Sequence, residues 1–381
     1  MQLDPRNAEG AVRPAGMLLA LLLVAGLLPN AWAVGAGNAP RRSGRALYAT
    51  ACAACHGVDG TGAPAEQVAF DLELPDFTDC SFASREPDAD WVIVAHEGGP
   101  VRVFDEMMPA HGGVASVAEL ELILEYIRTF CDDPTWPSGD LNLPRAMFTE
   151  KAFPEDEAVL TTMVTADDAT VVEHELVYET RLGAFTQVEL KVPFGWGEAE
   201  GDGDWSIGLG DMAVAIKTTP LHSKKSGSVF AIAGELIVPT GDEDKGYGKG
   251  TAIFEPFLAY GQALPLDFFF HLQAGVEIPF DDEKGEYEVF WRGAFGRTFT
   301  EGFAGRAWSP MIEVLGKQEM DPESIADWDL VPQLQVTLNT RQHVMLNIAA
   351  RLPVNDFEDR DKIVAVYLLW DWFDGGFFEG W

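Results

Sequence analysis

From about residue 158 onward, hydrophobic and polar residues alternate with a period of two. Phe268, Phe270, Leu272, Ala274, Val276 and Ile278 fall on one face of an extended chain, and Phe269, His271, Gln273, Gly275 and Glu277 fall on the other. Val188, Leu190 and Val192 alternate in the same way with Gln187, Glu189 and Lys191, as do Leu334, Val336 and Leu338 with Gln333, Gln335 and Thr337. Side chains of a strand point to opposite faces in turn, so this is the pattern of strands with one apolar and one polar face. The alternation predicts twelve strands, near 157–165, 170–182, 184–194, 204–219, 228–240, 252–264, 267–279, 286–299, 304–316, 329–340, 343–354 and 362–372. Each exceeds the ~5–6 residues usual in soluble sheets. A tilted strand of about 9–11 residues crosses a bilayer.

The connections alternate as well. Gly183, Pro265-Leu266, Glu301-Gly302-Phe303 and Arg341-Gln342 are short turns, with Lys224-Lys225 intermediate. Residues 198–204, 242–244, 281–283, 319–327 and 356–361 are mostly longer and acidic. An even number of long antiparallel strands with short turns at one end and long loops at the other is the outer-membrane barrel pattern. Tyr178, Phe194, Trp196, Trp205, Trp291, Trp308, Trp370 and Trp372 fall near strand ends or on outward positions, as an interfacial girdle requires. The competing expectation is a large soluble β-sandwich or lipocalin-like barrel with these aromatics in its core. The chain ends on Trp381, an aromatic terminus of the outer-membrane kind, although Gly375, Gly376 and Glu379 interrupt the alternation before it.

The N-terminal third has other periods. Arg6 and Arg13 precede an apolar stretch at residues 17–28, and Ala31-Trp32-Ala33 follows as a small-x-small cleavage pattern. Residues 1–33 therefore read as an export signal, which places the four cysteines in an oxidising compartment. Cys52-Ala53-Ala54-Cys55-His56 is C-x-x-C-H, the attachment pattern of c-type haem. Two thiols at this spacing meet the two vinyl groups of haem, and the adjacent imidazole reaches the iron. A redox dithiol would not need His56. Cys80 and Cys131 remain; an even leftover pair in an exported domain suggests a disulfide, the alternative being two buried thiols. A bridge there would stabilise by roughly 2–4 kcal/mol. Ser116 can cap a helix in which Leu120, Ile123, Leu124 and Ile127 recur at helical spacing. Residues 132–156 carry prolines and acids and read as a linker.

The residues around the haem pattern resemble class I monohaem cytochromes c over about residues 40–131. Arg45-Ala46-Leu47-Tyr48 leads in and Gly57-Val58-Asp59-Gly60-Thr61-Gly62 follows. That resemblance implies covalent haem c held by Cys52, Cys55 and His56. It also implies a methionine ligand from Met107-Met108-Pro109-Ala110-His111, with Met108 expected. Met107 is the neighbour that register could substitute, and His111 and His96 are rivals, because imidazole also ligates haem iron. Gly208-Leu209-Gly210-Asp211 and Pro239-Thr240-Gly241-Asp242 resemble the outer-membrane family of the MetA-pathway of phenol degradation, over most of residues 158–381. The expected fold is thus a small all-α cytochrome c domain followed by an antiparallel transmembrane β-barrel of about 12 strands at residues 157–381. The architecture resembles fused cytochrome–porin proteins that oxidise extracellular ferrous iron.

Composition removes some classes. The chain has 381 residues, 61 acidic against 26 basic side chains, and a formal charge of −35. Phosphate binding needs basic surface, so no nucleic-acid partner is expected. The sequence shows no nucleophilic triad, phosphate loop or zinc motif, and no dedicated metal ligand set beside the haem. Three readings remain. The first is an outer-membrane electron-transfer protein linking periplasmic carriers to an external donor such as ferrous iron, more a carrier than an enzyme. The second is a solute channel or anchor, set in lipid and lipopolysaccharide, that bears a periplasmic cytochrome domain. The third is a soluble periplasmic redox protein.

Overall fold

The computed structural model describes residues 42–64, 66–68, 72–165, 171–198, 205–356 and 360–372. The expected export segment and the terminal Trp381 lie outside the described residues. Among the described residues, no helix is long and apolar enough to cross a membrane.

The alternating segments form twelve antiparallel strands: β1 (Glu157–Thr165), β2 (Val171–Arg181), β3 (Thr186–Glu198), β4 in two parts (Trp205–Leu209 and Met212–Ser223), β5 (Ser228–Val238), β6 (Ile253–Ala263), β7 (Phe268–Pro279), β8 (Glu288–Arg297), β9 (Ala307–Glu319), β10 (Asp327–Thr337), β11 (Val344–Pro353) and β12 (Ile363–Asp371). Each pairs with its sequence neighbour, and β12 pairs with β1 from Glu157↔Asp371 to Thr165↔Ile363. The ring is therefore closed and has no edge to cap. The period-two pattern sets its faces. On β7, Phe269, His271 and Gln273 are buried while Leu272 is exposed; on β2, Val177 and Glu179 are buried while Leu176 and Tyr178 are exposed. The exposed apolar face is the lipid face of an outer-membrane barrel. Tyr178, Phe194, Trp196 and Trp205 are on that exposed surface.

A closed ring of twelve strands is wider than side chains alone can fill. Residues 139–156, expected only to link, occupy the lumen. The segment enters and returns through the mouth where the short turns lie, and reaches Glu313 near the middle of β9. Its apolar residues join inward apolar patches: Leu141, Ala152 and Phe153 pack with Val229, Ala231 and Phe257, and Met147 packs with Val177, Val331 and Leu369. Its backbone is taken up by lumen side chains. Gln273 accepts from the Glu150 N–H, Gln187 from the Glu155 N–H, and Lys217 and Thr219 donate to the Lys151 and Ala152 carbonyls. Its charges pair with the wall and with one another. Arg145 reaches Glu157 at 2.7 Å and Glu179 at 2.8 Å, and Lys151 pairs with Glu155. The difference from the sequence reading is physical. Glu179, Gln273 and Glu313 come from strands distant in sequence, so locally the segment looks like a solvated connector.

The helices are α1 (Gly44–Ala51), α2 (Ala53–His56), α3 (Cys80–Ala83), α4 (Asp88–Glu97) and α5 (Val117–Ile127). Ser116 and Glu119 form a reciprocal capping box at the start of α5. Leu47, Tyr48, Phe77 and Val92 pack with Leu120, Ile123, Leu124 and Ile127. At Gly44 a Cβ would lie 1.8 Å from the Leu122 carbonyl oxygen, so only glycine lets α1 approach α5 this closely.

Replacing Arg145 with Ala leaves Glu179 as a buried carboxylate without its cation and Glu157 with only Lys151, a loss of about 3–5 kcal/mol. The Arg145→Ala barrel should lose its compact gel mobility at a clearly lower temperature than the parent. An unchanged unfolding temperature would show that the lumen charges do not depend on Arg145.

Candidate functional site

Cys52 stands between α1 and α2, and Cys55 and His56 lie on the single turn of α2. Gly57 ends that turn at φ 76°, in the left-handed region that glycine adopts without cost. The Tyr48 hydroxyl donates to the Gly57 carbonyl at 2.7 Å and ties the turn to the helical core. Cys80 on α3 and Cys131 beyond α5 are joined by a disulfide. Cys52 and Cys55 are free and half-buried.

Both thiols and His56 line a cavity of about 900 Å³ whose wall is largely apolar. That lies within the roughly 300–1,000 Å³ range of small-molecule sites. Met107, Met108 and His111 line the same cavity. Met108 is half-buried, whereas Met107 is 46 % exposed. His96 is not among the lining residues; its ring meets Phe303 of the barrel at 4.7 Å and its Nδ1 lies 2.8 Å from Glu97. Of the three rivals to Met108, two therefore share its cavity and His96 does not.

The electrostatics suit ligation. Burial, and then the His111 imidazole, hold His56 below the ordinary histidine range. Its neutral form, the form that binds metals, thus persists to lower pH than in free histidine. Its ring stacks on Phe77 at 4.9 Å, and its buried Nδ1 has no hydrogen-bond partner. A buried polar atom of this kind calls for a partner from outside the chain. Burial, and then Cys55, push the Cys52 thiol up to about 11. A reactive redox dithiol needs the opposite shift. Two thiols, a neutral imidazole and methionine sulfur in one apolar cavity fit haem c.

The barrel contributes to this cavity. Arg341 and His343, from the turn between β10 and β11, lie in its wall. The helical domain is held on the short-turn mouth at several points. Lys224 of the β4–β5 turn pairs with Asp88 and with Asp140 at 2.8 Å. Arg102 pairs with Asp90 at 2.7 Å and donates to the carbonyls of Ala304 and Thr340, at 2.9 and 3.3 Å, on two barrel turns. Sequence reasoning missed these residues, because a lone turn arginine gives no local signal of what it will face. It also missed Glu150, Glu179 and Glu189, whose oxygens lie within 4.8 Å of one another in the lumen. Arg145, Lys191 and Lys217 neutralise that cluster, which makes it an ion network rather than a cation site.

Known proteins agree with this division. The cytochrome c family profile matches residues 42–130. The profile described as MetA-pathway of phenol degradation matches residues 157–348, half of the chain. The chain belongs to that family. The family label names a pathway and assigns no reaction here. No curated protein matches the chain. Solved structures similar to it include an outer membrane channel from Pseudomonas putida F1, at 12 % identity and TM-score 0.43, covering 60 % of this chain and 100 % of that one. The NanC porin is similar at 7 % identity and TM-score 0.40, and the KdgM porin at 9 % and 0.37, each over 56 % of this chain and 99 % of its own. This member of the MetA-pathway family thus carries a cytochrome c domain ahead of its barrel, and with it covalently bound haem c.

Cys52→Ala and Cys55→Ala should each leave one thioether. Haem staining on denaturing gels should weaken but persist, and the reduced pyridine haemochrome band should move to longer wavelength. The double variant should release its haem to acid–acetone. Haem retained by the double variant would show attachment elsewhere.

Proposed function

We propose that this protein is an outer-membrane c-type cytochrome that passes electrons between periplasmic carriers and a donor on the outer side of the barrel. The supporting observation is the shared wall: the cavity containing Cys52, Cys55, His56 and Met108 is completed by Arg341 and His343 of the barrel. On this reading Cys52 and Cys55 would hold haem through thioethers, and His56 and Met108 would ligate its iron. With two ligands from the chain the iron would keep no site for substrate, and the chemistry the group would supply is one-electron exchange. His/Met ligation also raises the potential relative to a pair of imidazoles, which suits accepting electrons. The cytochrome domain, at the short-turn mouth, faces the periplasm.

Ferrous iron is the finer candidate for the external donor. Asp281, Asp282, Glu283, Asp321 and Glu323 are exposed on long loops at the far end, where a carboxylate field concentrates divalent cations. Oxidation to ferric iron releases one electron, and the haem that Cys52, Cys55 and His56 would hold would supply the one-electron relay to a periplasmic carrier. A second reading, in which the barrel anchors a periplasmic cytochrome and exchanges nothing with the outside, is favoured by the lumen filling at residues 139–156.

The two separate on the full holoprotein reconstituted in sealed vesicles with its long loops outward. A membrane-impermeant ferrous chelate added outside should reduce the haem without detergent. Reduction only after detergent would support the anchor and overturn the transmembrane reading. In planar bilayers the same protein should conduct far less than an open barrel of its strand number, because the connector occupies the lumen.

A further inference from the structure

We propose that Arg341, on the barrel turn between β10 and β11, positions the loop bearing Met108, so that the barrel sets how firmly the haem domain holds its axial thioether. The proposal rests on the reading of Met108 as a haem ligand.

The loop from Gly99 to Met108 closes on itself. The Gly99 N–H donates to the Met108 carbonyl at 2.9 Å, the Phe104 N–H to Gly99 at 3.0 Å, and the Met108 N–H to Asp105 at 3.2 Å. Its tip is gripped by one side chain from the barrel. Arg341 donates from Nε to the Arg102 carbonyl at 3.0 Å and from Nη2 to the Val103 carbonyl at 3.3 Å, and its guanidinium lies 4.8 Å from the centre of the Phe104 ring. Three successive residues are thus held by one planar fork. Val103 sits at φ 61°. A β-branched residue stays in that left-handed conformation only where its surroundings hold it. The grip is reciprocal, because Arg102 donates back to Ala304 and Thr340 on the barrel turns. Arg341, Phe104 and Met108 all line the same cavity. Lysine keeps the charge but not the fork or the flat stacking surface.

The test uses the full holoprotein in detergent, with Arg341→Ala and Arg341→Lys. Imidazole is the probe, since it competes with methionine for haem iron. Losing two backbone hydrogen bonds should let imidazole bind about tenfold more tightly to Arg341→Ala. The weak far-red band of the oxidised protein should fall, the reduction potential should drop, and Arg341→Lys should lie between parent and Arg341→Ala. The boiling-dependent gel shift reports that the barrel is intact. An intact Arg341→Ala protein with parental band, potential and imidazole affinity overturns the proposal. Met108→Ala serves as the control. If it keeps the band, the ligand reading itself fails; if it loses the band while Arg341→Ala keeps it, only the positioning role fails. Should Arg341→Ala not fold, Phe104→Leu removes the ring beneath the guanidinium and leaves the barrel untouched. It should tighten imidazole binding about threefold, as loss of an exposed cation–π contact would allow, and an unchanged affinity overturns the proposal.

Discussion

A lumen lined with carboxylates must hold cations, and much of this structure follows from how they are supplied. Glu157, Glu179, Glu189 and Glu313 are buried inside the closed ring, where an unpaired charge would be costly. Lys191 and Lys217 come from the wall, but Arg145 and Lys151 arrive on the connector. The segment that links the two domains therefore also supplies cations to the barrel interior, although it brings Glu150, Glu155 and Asp156 with them. It fills the space that a ring of this size leaves empty, and it brings Leu141, Met147 and Phe153 to the apolar patches of the wall. Domain linkage, charge balance and packing become one requirement on one stretch of chain.

That requirement fixes where the helical domain sits. The connector enters the lumen beside Asp140, so the cytochrome fold is delivered to the short-turn mouth. There Lys224, the Ala304 and Thr340 carbonyls, and Arg341 receive it. Most of these contacts are charged or charge-assisted and partly shielded from water, the class of polar contact that contributes most to a fixed geometry. The haem cavity is accordingly not a property of the cytochrome domain alone.

Legibility in the sequence followed the range of the interactions. The strands were readable because period two is local: Gln187, Glu189 and Lys191 announce an inward polar face whatever they meet across the ring. The C-x-x-C-H pattern and the Ser116 cap were readable for the same reason, since thiol spacing and a capping box lie within a turn or two of chain. The connector was not readable. Arg145 finds Glu179 across the lumen, and the Phe148 N–H finds Glu313, so nothing nearby shows that these groups will be buried. Nor could the sequence tell that His96 would meet Phe303 of a barrel turn while His111 entered the cavity. A histidine in the last turn of α4 and one on the loop after it are told apart only by the tertiary surface each happens to face.

The placing of the docking points has a mechanical meaning. Lys224 lies on the turn between β4 and β5, and Arg341 on the turn between β10 and β11. In a ring of twelve strands these turns are six strands apart, which puts them on opposite sides of the rim. The helical domain spans the mouth along a diameter and braces it against flattening into an oval. A brace carries load in both directions. If the rim is deformed, the displacement of the β10–β11 turn is passed to the loop that Arg341 holds.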